Sequence, residues 1–149
     1  MIHAIDHFTL RTRDLDQTLA FYRDRLGLEE GARPPFPFPG HWLYSQGRPL
    51  LHLLPVTEEK GLTDYLGYRP GLSGSGAIDH ISLRAEGLAA MTARLEAHHT
   101  PYTRRLVPEL KEWQLFLEDN NGVTIELIFT AREATCSSDS ESPISPFTI

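Results

Sequence analysis

Over residues 4–12 the side chains alternate, with Ile5, His7, Thr9 and Arg11 on one side and Asp6, Phe8 and Leu10 on the other. A period of two predicts a β-strand. The period then lengthens, and Leu15, Leu19, Tyr22 and Leu26 form one helical stripe. Asp14 stands before that stripe with Gln17 three residues on, as in a capping box, and Gly27 ends it. A strand from Leu28 leads into Arg33-Pro34-Pro35-Phe36-Pro37-Phe38-Pro39-Gly40. That segment holds too much proline for a strand interior and reads as a stiff loop carrying two phenylalanines. His41–Tyr44 and Leu50–Leu54 are two further strands, parted by a turn at Gly47. The unit is strand, helix, three strands.

The order then repeats. Ala4-Ile5-Asp6-His7-Phe8-Thr9-Leu10-Arg11-Thr12 returns 73 positions later as Ala77-Ile78-Asp79-His80-Ile81-Ser82-Leu83-Arg84-Ala85, with six of the nine residues identical. A repeat on this scale means two copies of one supersecondary unit. In the second copy Leu88, Met91 and Leu95 carry a helical stripe, and Tyr102–Arg105 and Trp113–Glu118 read as strands. Asn120-Asn121-Gly122 then turns the chain into Val123–Phe129, and an Asn-Gly pair between apolar alternating runs is a strong hairpin signal. The expected organisation is a single domain over residues 1–133, with modules at about 1–57 and 77–133. The linker, 58–76, is expected to hold a short helix near Asp64 and Tyr65 and a flexible Gly/Ser end; the Ser-rich residues 134–149 are expected to form a flexible tail.

Composition narrows the function classes. A chain of 149 residues can bury roughly two-thirds of its unfolded surface in one core. With a net charge of -6 and scattered Lys and Arg, neither nucleic acid nor an anionic membrane is a fitting partner. Cys136 is the single cysteine, which excludes an intrachain disulfide and argues against thiolate metal ligation. No basic-then-apolar leader opens the sequence, and no apolar run approaches the roughly 18 residues of a membrane span. The expectation is a soluble, cytoplasmic protein.

The repeat also carries chemistry. His7 returns as His80; His52 lies five residues after Gly47 and Glu126 four residues after Gly122, each amid an apolar strand. First and fourth strands of such a unit can be neighbours with side chains on one face, so four ligand-capable groups, two per module, would face a common centre. Imidazoles and a carboxylate that leave coordination positions open suit a catalytic divalent cation. Glu126, between Ile125 and Leu127, must face solvent or be paired, because a buried unpaired carboxylate is heavily penalised. Taken singly, each histidine reads as a satisfied or solvent-facing strand residue; their repeat-equivalent places mark His7, His52, His80 and Glu126 as metal ligands. His3, His41, His98 and His99 have no such equivalents and read as surface or loop residues.

The run His7-Phe8-Thr9-Leu10-Arg11 with Asp14-Leu15, the run from Phe21 to Leu28, and the closing run from Phe116 to Leu127 resemble the vicinal oxygen chelate superfamily. That superfamily includes glyoxalase I, extradiol dioxygenases, methylmalonyl-CoA epimerase, and fosfomycin and bleomycin resistance proteins. The resemblance covers about residues 4–129 and is specific for fold and metal positions rather than for reaction. It implies an α+β fold in which two βαβββ modules form a curved mixed-sheet half-barrel, commonly in a homodimer. Such a fold surrounds a divalent metal ion (Ni, Zn, Co, Mn or Fe(II)) that holds a small substrate through vicinal oxygens and acts as a Lewis acid. The family's ligand positions fall on His7, His52, His80 and Glu126. Glyoxalase I normally has a glutamate where this chain has His52, and uses a metal-bound glutamate as its base. Glyoxalase-like lyase or isomerase chemistry would therefore make Glu126 both ligand and base. Arg11 matches an arginine that glyoxalase I uses near its glutathione carboxylates; a solvated strand arginine is the plainer reading.

The alternative is an Fe(II) extradiol-type ring-cleaving dioxygenase, whose facial triad would be His7, His80 and Glu126 with His52 as an acid–base group beside it. The place for the tyrosine of such enzymes is Phe116, with Tyr44, His52 or Tyr65 as substitutes. The third reading is a non-catalytic small-molecule binder, against which the four ligands argue. Phe36, Phe38, Trp42, Tyr44 and Trp113 are placed to border a pocket for a planar substrate. Core packing accounts equally well for Trp42 and Trp113, and Phe36 and Phe38 read as a lid.

Overall fold

A computed structural model describes residues 1, 3–67 and 73–136, the last three by backbone alone. By its internal contacts the chain divides into two compact units, Met1–Gly76 with Asp119–Gly122, and Ala77–Glu118 with Val123–Ile149. The first contains β1 (Phe8–Thr12), α1 (Leu15–Ala20), a π-helical turn (Phe21–Arg25), β2 (Glu29–Gly31), β3 (His41–Ser45), β4 (Arg48–Pro55) and α2 (Lys60–Leu66). The second contains β5 (Ile81–Arg84), α3 (Leu88–Ala97), β6 (Thr103–Val107), β7 (Glu112–Glu118), β8 (Thr124–Thr130) and a 3-10 turn (Ala131–Cys136). Their sheets share one topology, β1-β4-β3-β2 and β5-β8-β7-β6. In each, the first strand runs parallel to the fourth and the remaining pairs are antiparallel. The architecture is α+β, two βαβββ modules with open mixed sheets.

Local chemistry explains the elements and their departures from the sequence pattern. Asp14 Oδ1 accepts from the Gln17 amide at 2.8 Å, as an N-cap should. The reciprocal half of the expected capping box is not made, because the Asp14 amide donates to Thr12 Oγ1 instead. Leu19, Tyr22 and Leu26 are buried, but so is Phe21. Two adjacent buried aromatics need a wider face than a regular stripe, and the chain opens there into a π turn. The first strands are shorter than their alternation predicts, leaving His7 and His80 immediately before them. Pairing starts only at Phe8 with Leu51 and Ile81 with Ile125, and the earlier Ile5 and Ile78 are exposed.

The central strands carry the cores. Leu51, Leu53 and Leu54 of β4 are buried, as are Ile125, Leu127 and Phe129 of β8. Leu54 joins Phe38 and Leu62 in a cluster on which Phe36 packs. A Cβ at Gly61 would lie 2.5 Å from the Pro37 carbonyl oxygen, so α2 can rest on the proline loop only because that residue is glycine.

Two long-range anchors complete the modules. The turn at 119–122 is held within the first unit. Tyr22 Oη donates to Asp119 Oδ2 at 2.9 Å, Asn120 and Asn121 donate to Thr18 Oγ1, and Thr12 Oγ1 donates to Asn121 Oδ1. Burial, then the Asp119 charge, raises the Tyr22 phenol far above its usual range. In the second unit α3 begins after Gly87, whose backbone is left-handed (φ 78°) and which supplies no side-chain cap. Glu133 takes over, its Oε2 accepting from the Gly87 and Leu88 amides at 2.6 and 2.9 Å. The 3-10 turn takes the chain to Cys136, three residues into the expected tail; the rest of the tail and residues 68–72 of the linker lie outside the described residues. Among the described residues no helix is long and apolar enough to cross a membrane.

Candidate functional site

In the first unit the register sets both Thr9 of β1 and Trp42 of β3 opposite His52 of β4. His52 stacks on two rings: Trp42, with centroids 4.0 Å apart and planes 2° apart, and His7, at 3.9 Å and 22°. Its Nε2 is buried without a hydrogen-bond partner among the described residues. Burial, aided by the neighbouring His7 and Arg33 and opposed by Asp6, lowers the His52 pKa to about 4. The ring is therefore neutral near pH 7 and retains a lone pair. His7 Nδ1 lies 2.6 Å from Asp6 Oδ1. With the proton on Nδ1 donated to that carboxylate, the Nε2 lone pair is left for a ligand. The same hydrogen bond holds the Asp6 carboxyl below its usual range.

The second unit repeats this arrangement with one substitution of chemistry. Ser82 of β5 and Phe116 of β7 flank Glu126 of β8 in the register. Glu126 is only 6 % exposed. Its Oε2 accepts from Ser82 Oγ and lies 3.2 Å from His80 Nε2. His80 Nδ1 sits 2.6 Å from Asp79 Oδ1, as His7 does from Asp6. The Asp79 hydrogen bond, with the Glu126 charge adding and burial opposing, raises the His80 pKa. Phe116 meets His80 edge-on at 5.8 Å, under the Arg105 guanidinium.

These donors suit a divalent cation. Two atoms each about 2.1 Å from one ion and at about a right angle lie roughly 3 Å apart, near the separation of His80 Nε2 and Glu126 Oε2. Imidazole nitrogens with one carboxylate oxygen, and no thiolate, match Zn, Ni, Co or Fe(II) rather than a soft-metal site. The partnerless Nε2 of His52 is the kind of buried polar atom that a metal would satisfy. Among the described residues, no three His, Cys, Asp or Glu side chains gather in a group able to hold a metal. The donors come as two pairs, His7 with His52 and His80 with Glu126.

The other candidate residues divide. Phe36 and Phe38 stack at 5.2 Å, Tyr65 leans on both, and Phe36 lies 6.4 Å from Trp42, which places this aromatic group on the His52 side. Arg11 donates to the Leu66 and Gly67 carbonyls at 3.1 and 2.8 Å, closing the C-terminal end of α2. Tyr44 serves the backbone, donating to the Ala32 carbonyl at 2.6 Å. Trp113 lies under Arg104, three residues from Phe116 on β7 and so on the opposite face of the sheet from Glu126. His41 opens β3 and pairs with Glu30. Sequence reasoning assigned nothing to Asp6, Asp79 and Ser82, although the repeat displays all three. Arg33, which has no repeat counterpart, gave no signal.

A family model described as the Glyoxalase/Bleomycin resistance protein/Dioxygenase superfamily matches residues 4–127. A relative named Glyoxylase I 4, from Arabidopsis thaliana, is 30% identical over 127 residues, 83% of this chain and 69% of that protein. Similar solved structures include a glyoxalase family protein from Bacillus anthracis (TM-score 0.66, 16% identity, 87% of this chain and 97% of that one). A lactoylglutathione lyase from Agrobacterium tumefaciens is another (TM-score 0.60, 22% identity, 87% and 95%). A fosfomycin resistance protein from Listeria monocytogenes is a third (TM-score 0.63, 18% identity, 89% and 98%). At these identities the structures speak for the fold alone.

Proposed function

Because the chain belongs to the Glyoxalase/Bleomycin resistance protein/Dioxygenase superfamily, we propose that it is a divalent-metal-dependent enzyme acting on a small substrate with vicinal oxygens, by glyoxalase-like proton transfer. The observation that carries this reading is the pair of equivalent donor sets, a histidine before each first strand and a donor at the matching register of each fourth strand. His7, His52, His80 and Glu126 would together hold one cation, in a homodimer whose second copy completes or shields the site. When bound, the cation supplies Lewis-acid polarisation of adjacent substrate oxygens. Glu126 takes a proton from one substrate carbon and returns it to the next. Its burial keeps competing water away, and Ser82 holds the oxygen that carries the proton. His52, neutral at physiological pH, adds a donor without adding charge.

A second reading has one observation in its favour. His52 stands where glyoxalase I has a carboxylate, and a neutral imidazole with a free Nε2 suits an acid–base group beside a His7, His80, Glu126 triad for Fe(II) ring cleavage. One experiment separates the two. The purified protein is stripped with chelator and reloaded in turn with Ni, Zn, Co, Mn and Fe(II). Bound metal is then measured alongside two reactions: thioester formation from a glutathione–oxoaldehyde hemithioacetal, and oxygen uptake on catechols. Proton-transfer chemistry predicts thioester formation with Ni, Zn or Co. It also predicts a loss of about 10²- to 10⁴-fold in turnover for Glu126→Gln. Retention of no metal at all, or wild-type turnover in that variant, would overturn the reading.

A further inference from the structure

Arg33 opens the proline loop, and its guanidinium is fixed by surroundings that leave one edge unanswered. Nη1 donates to the Phe38 carbonyl at 3.0 Å. Cζ lies 5.3 and 5.4 Å over the rings of Phe36 and Phe38. At the far end of the loop a Cβ on Gly40 would stand 2.6 Å from the carbonyl oxygen of Leu53, the residue after His52, so glycine is what lets the loop close onto β4 beside the guanidinium. The remaining edge, Nε and Nη2, is buried and meets no hydrogen-bond partner among the described residues. Buried charged donors are normally satisfied, so this edge calls for an acceptor.

Arg23 shows what the same edge does when an acceptor is present. Its Nε and Nη2 donate to the two carboxylate oxygens of Asp24 at 2.7 and 3.1 Å. A planar guanidinium matches a carboxylate bidentately, which a point charge cannot do. Around Arg33 the nearby groups are aromatic. Phe36 and Phe38 stack beneath it, Tyr65 leans on both at 5.2 and 5.7 Å, and Trp42 links Phe36 to the face of His52. We propose that the Nε/Nη2 edge of Arg33 receives a carboxylate of the substrate. The planar part of that molecule then lies along Phe36, Phe38 and Trp42 toward His52. The substrate class is thus a planar or aryl carboxylic acid whose charged group stands apart from its vicinal oxygens. The edge is closed to bulk water, so the ligand enters by displacing a neighbour, and Tyr65, 60% exposed, is the outermost ring of the cluster.

The inference rests on the reading of His52 as part of the site, and its test keeps the two apart. The full chain, its metal content measured in each sample, is titrated with 3-phenylpropionate, 3-phenylpropionamide and inorganic phosphate. Heat of binding and the Arg Nε–H resonances are followed. Wild type should prefer the carboxylate to the amide by about tenfold or more, as expected for charge-assisted bidentate bonding. Arg33→Met and Arg33→Lys should lose that preference with metal content unchanged; the lysine variant can retain the bond to the Phe38 carbonyl if the methionine variant unfolds. A preference that survives in both variants, or none in wild type, would mean that the edge holds water only, and overturns the proposal. Phosphate binding as tightly as the aryl carboxylate also overturns it, leaving a bare anion site. A chain that takes up no metal yet keeps an Arg33-dependent preference refutes the enzyme reading and not this one.

Discussion

The two modules share one strand order and differ in the side chains set at matching places. Each places an Asp–His pair before its first strand, and each sets a donor and an aromatic side by side on its central strands. In the first module that donor is His52, stacked between ring systems and holding a neutral imidazole. In the second it is Glu126, buried and gripped by Ser82 and His80. The first is rich in aromatic surface and one unanswered guanidinium edge; the second sets a buried carboxylate at the matching place. The repeat thus keeps the positions, and at one matching register it sets an imidazole in the first module and a carboxylate in the second.

The comparison can be broken first at the Asp–His pairs. Residues that orient a ligating histidine typically govern metal affinity by roughly 10- to 100-fold. Asp79→Asn and Asp6→Asn should each weaken binding by such a factor, read by competition with a chromophoric chelator. If one variant is silent, only one module holds the cation and the equivalence fails.

A smaller effect concerns how each helix is anchored. Tyr22→Phe leaves buried Asp119 short of one donor and should cost about 1–3 kcal/mol in urea unfolding. The phenol's folded pKa is raised, so its contribution is whole below the unfolded value of about 10 and is lost as pH rises beyond it. Wild type should lose stability more steeply than the variant in that alkaline range. The smallest expected effect is in the second module. Glu133→Ala removes the cap of α3 and should lower stability by about 1 kcal/mol, seen as faster amide exchange at Gly87 and Leu88. Equal sensitivity of both helices to both changes would show that the anchors are not module-specific.

The strand–helix–three-strand order was legible in the chain because alternation and stripe spacing are local, and the repeat made the pairing of His52 with Glu126 a matter of counting. What stayed hidden was tertiary. Nothing in the Leu15–Leu26 stripe foretells a π turn, since the stripe ignores Phe21 beside Tyr22. The strand ends were misjudged because alternation outruns pairing: Ile5 continues the period where β4 offers no partner. Asp6 and Asp79 were visible as repeated residues, yet their role depends on a 2.6 Å approach to Nδ1 that spacing does not encode. Arg33 and Glu133 act through neighbours that only the folded chain assembles.

The turn at 119–122 gives the first unit an unusual birth order. Tyr22 meets its acceptor 97 positions downstream, and Thr12 meets Asn121 across 109. During synthesis the amino-terminal half therefore emerges from the ribosome lacking the piece that ties down its own helix. A gene split after Gly76 would deliver a fragment in which the Tyr22 hydroxyl lacks its acceptor and Thr12 and Thr18 keep only each other and Asp14, and the complementary fragment would carry the missing clasp.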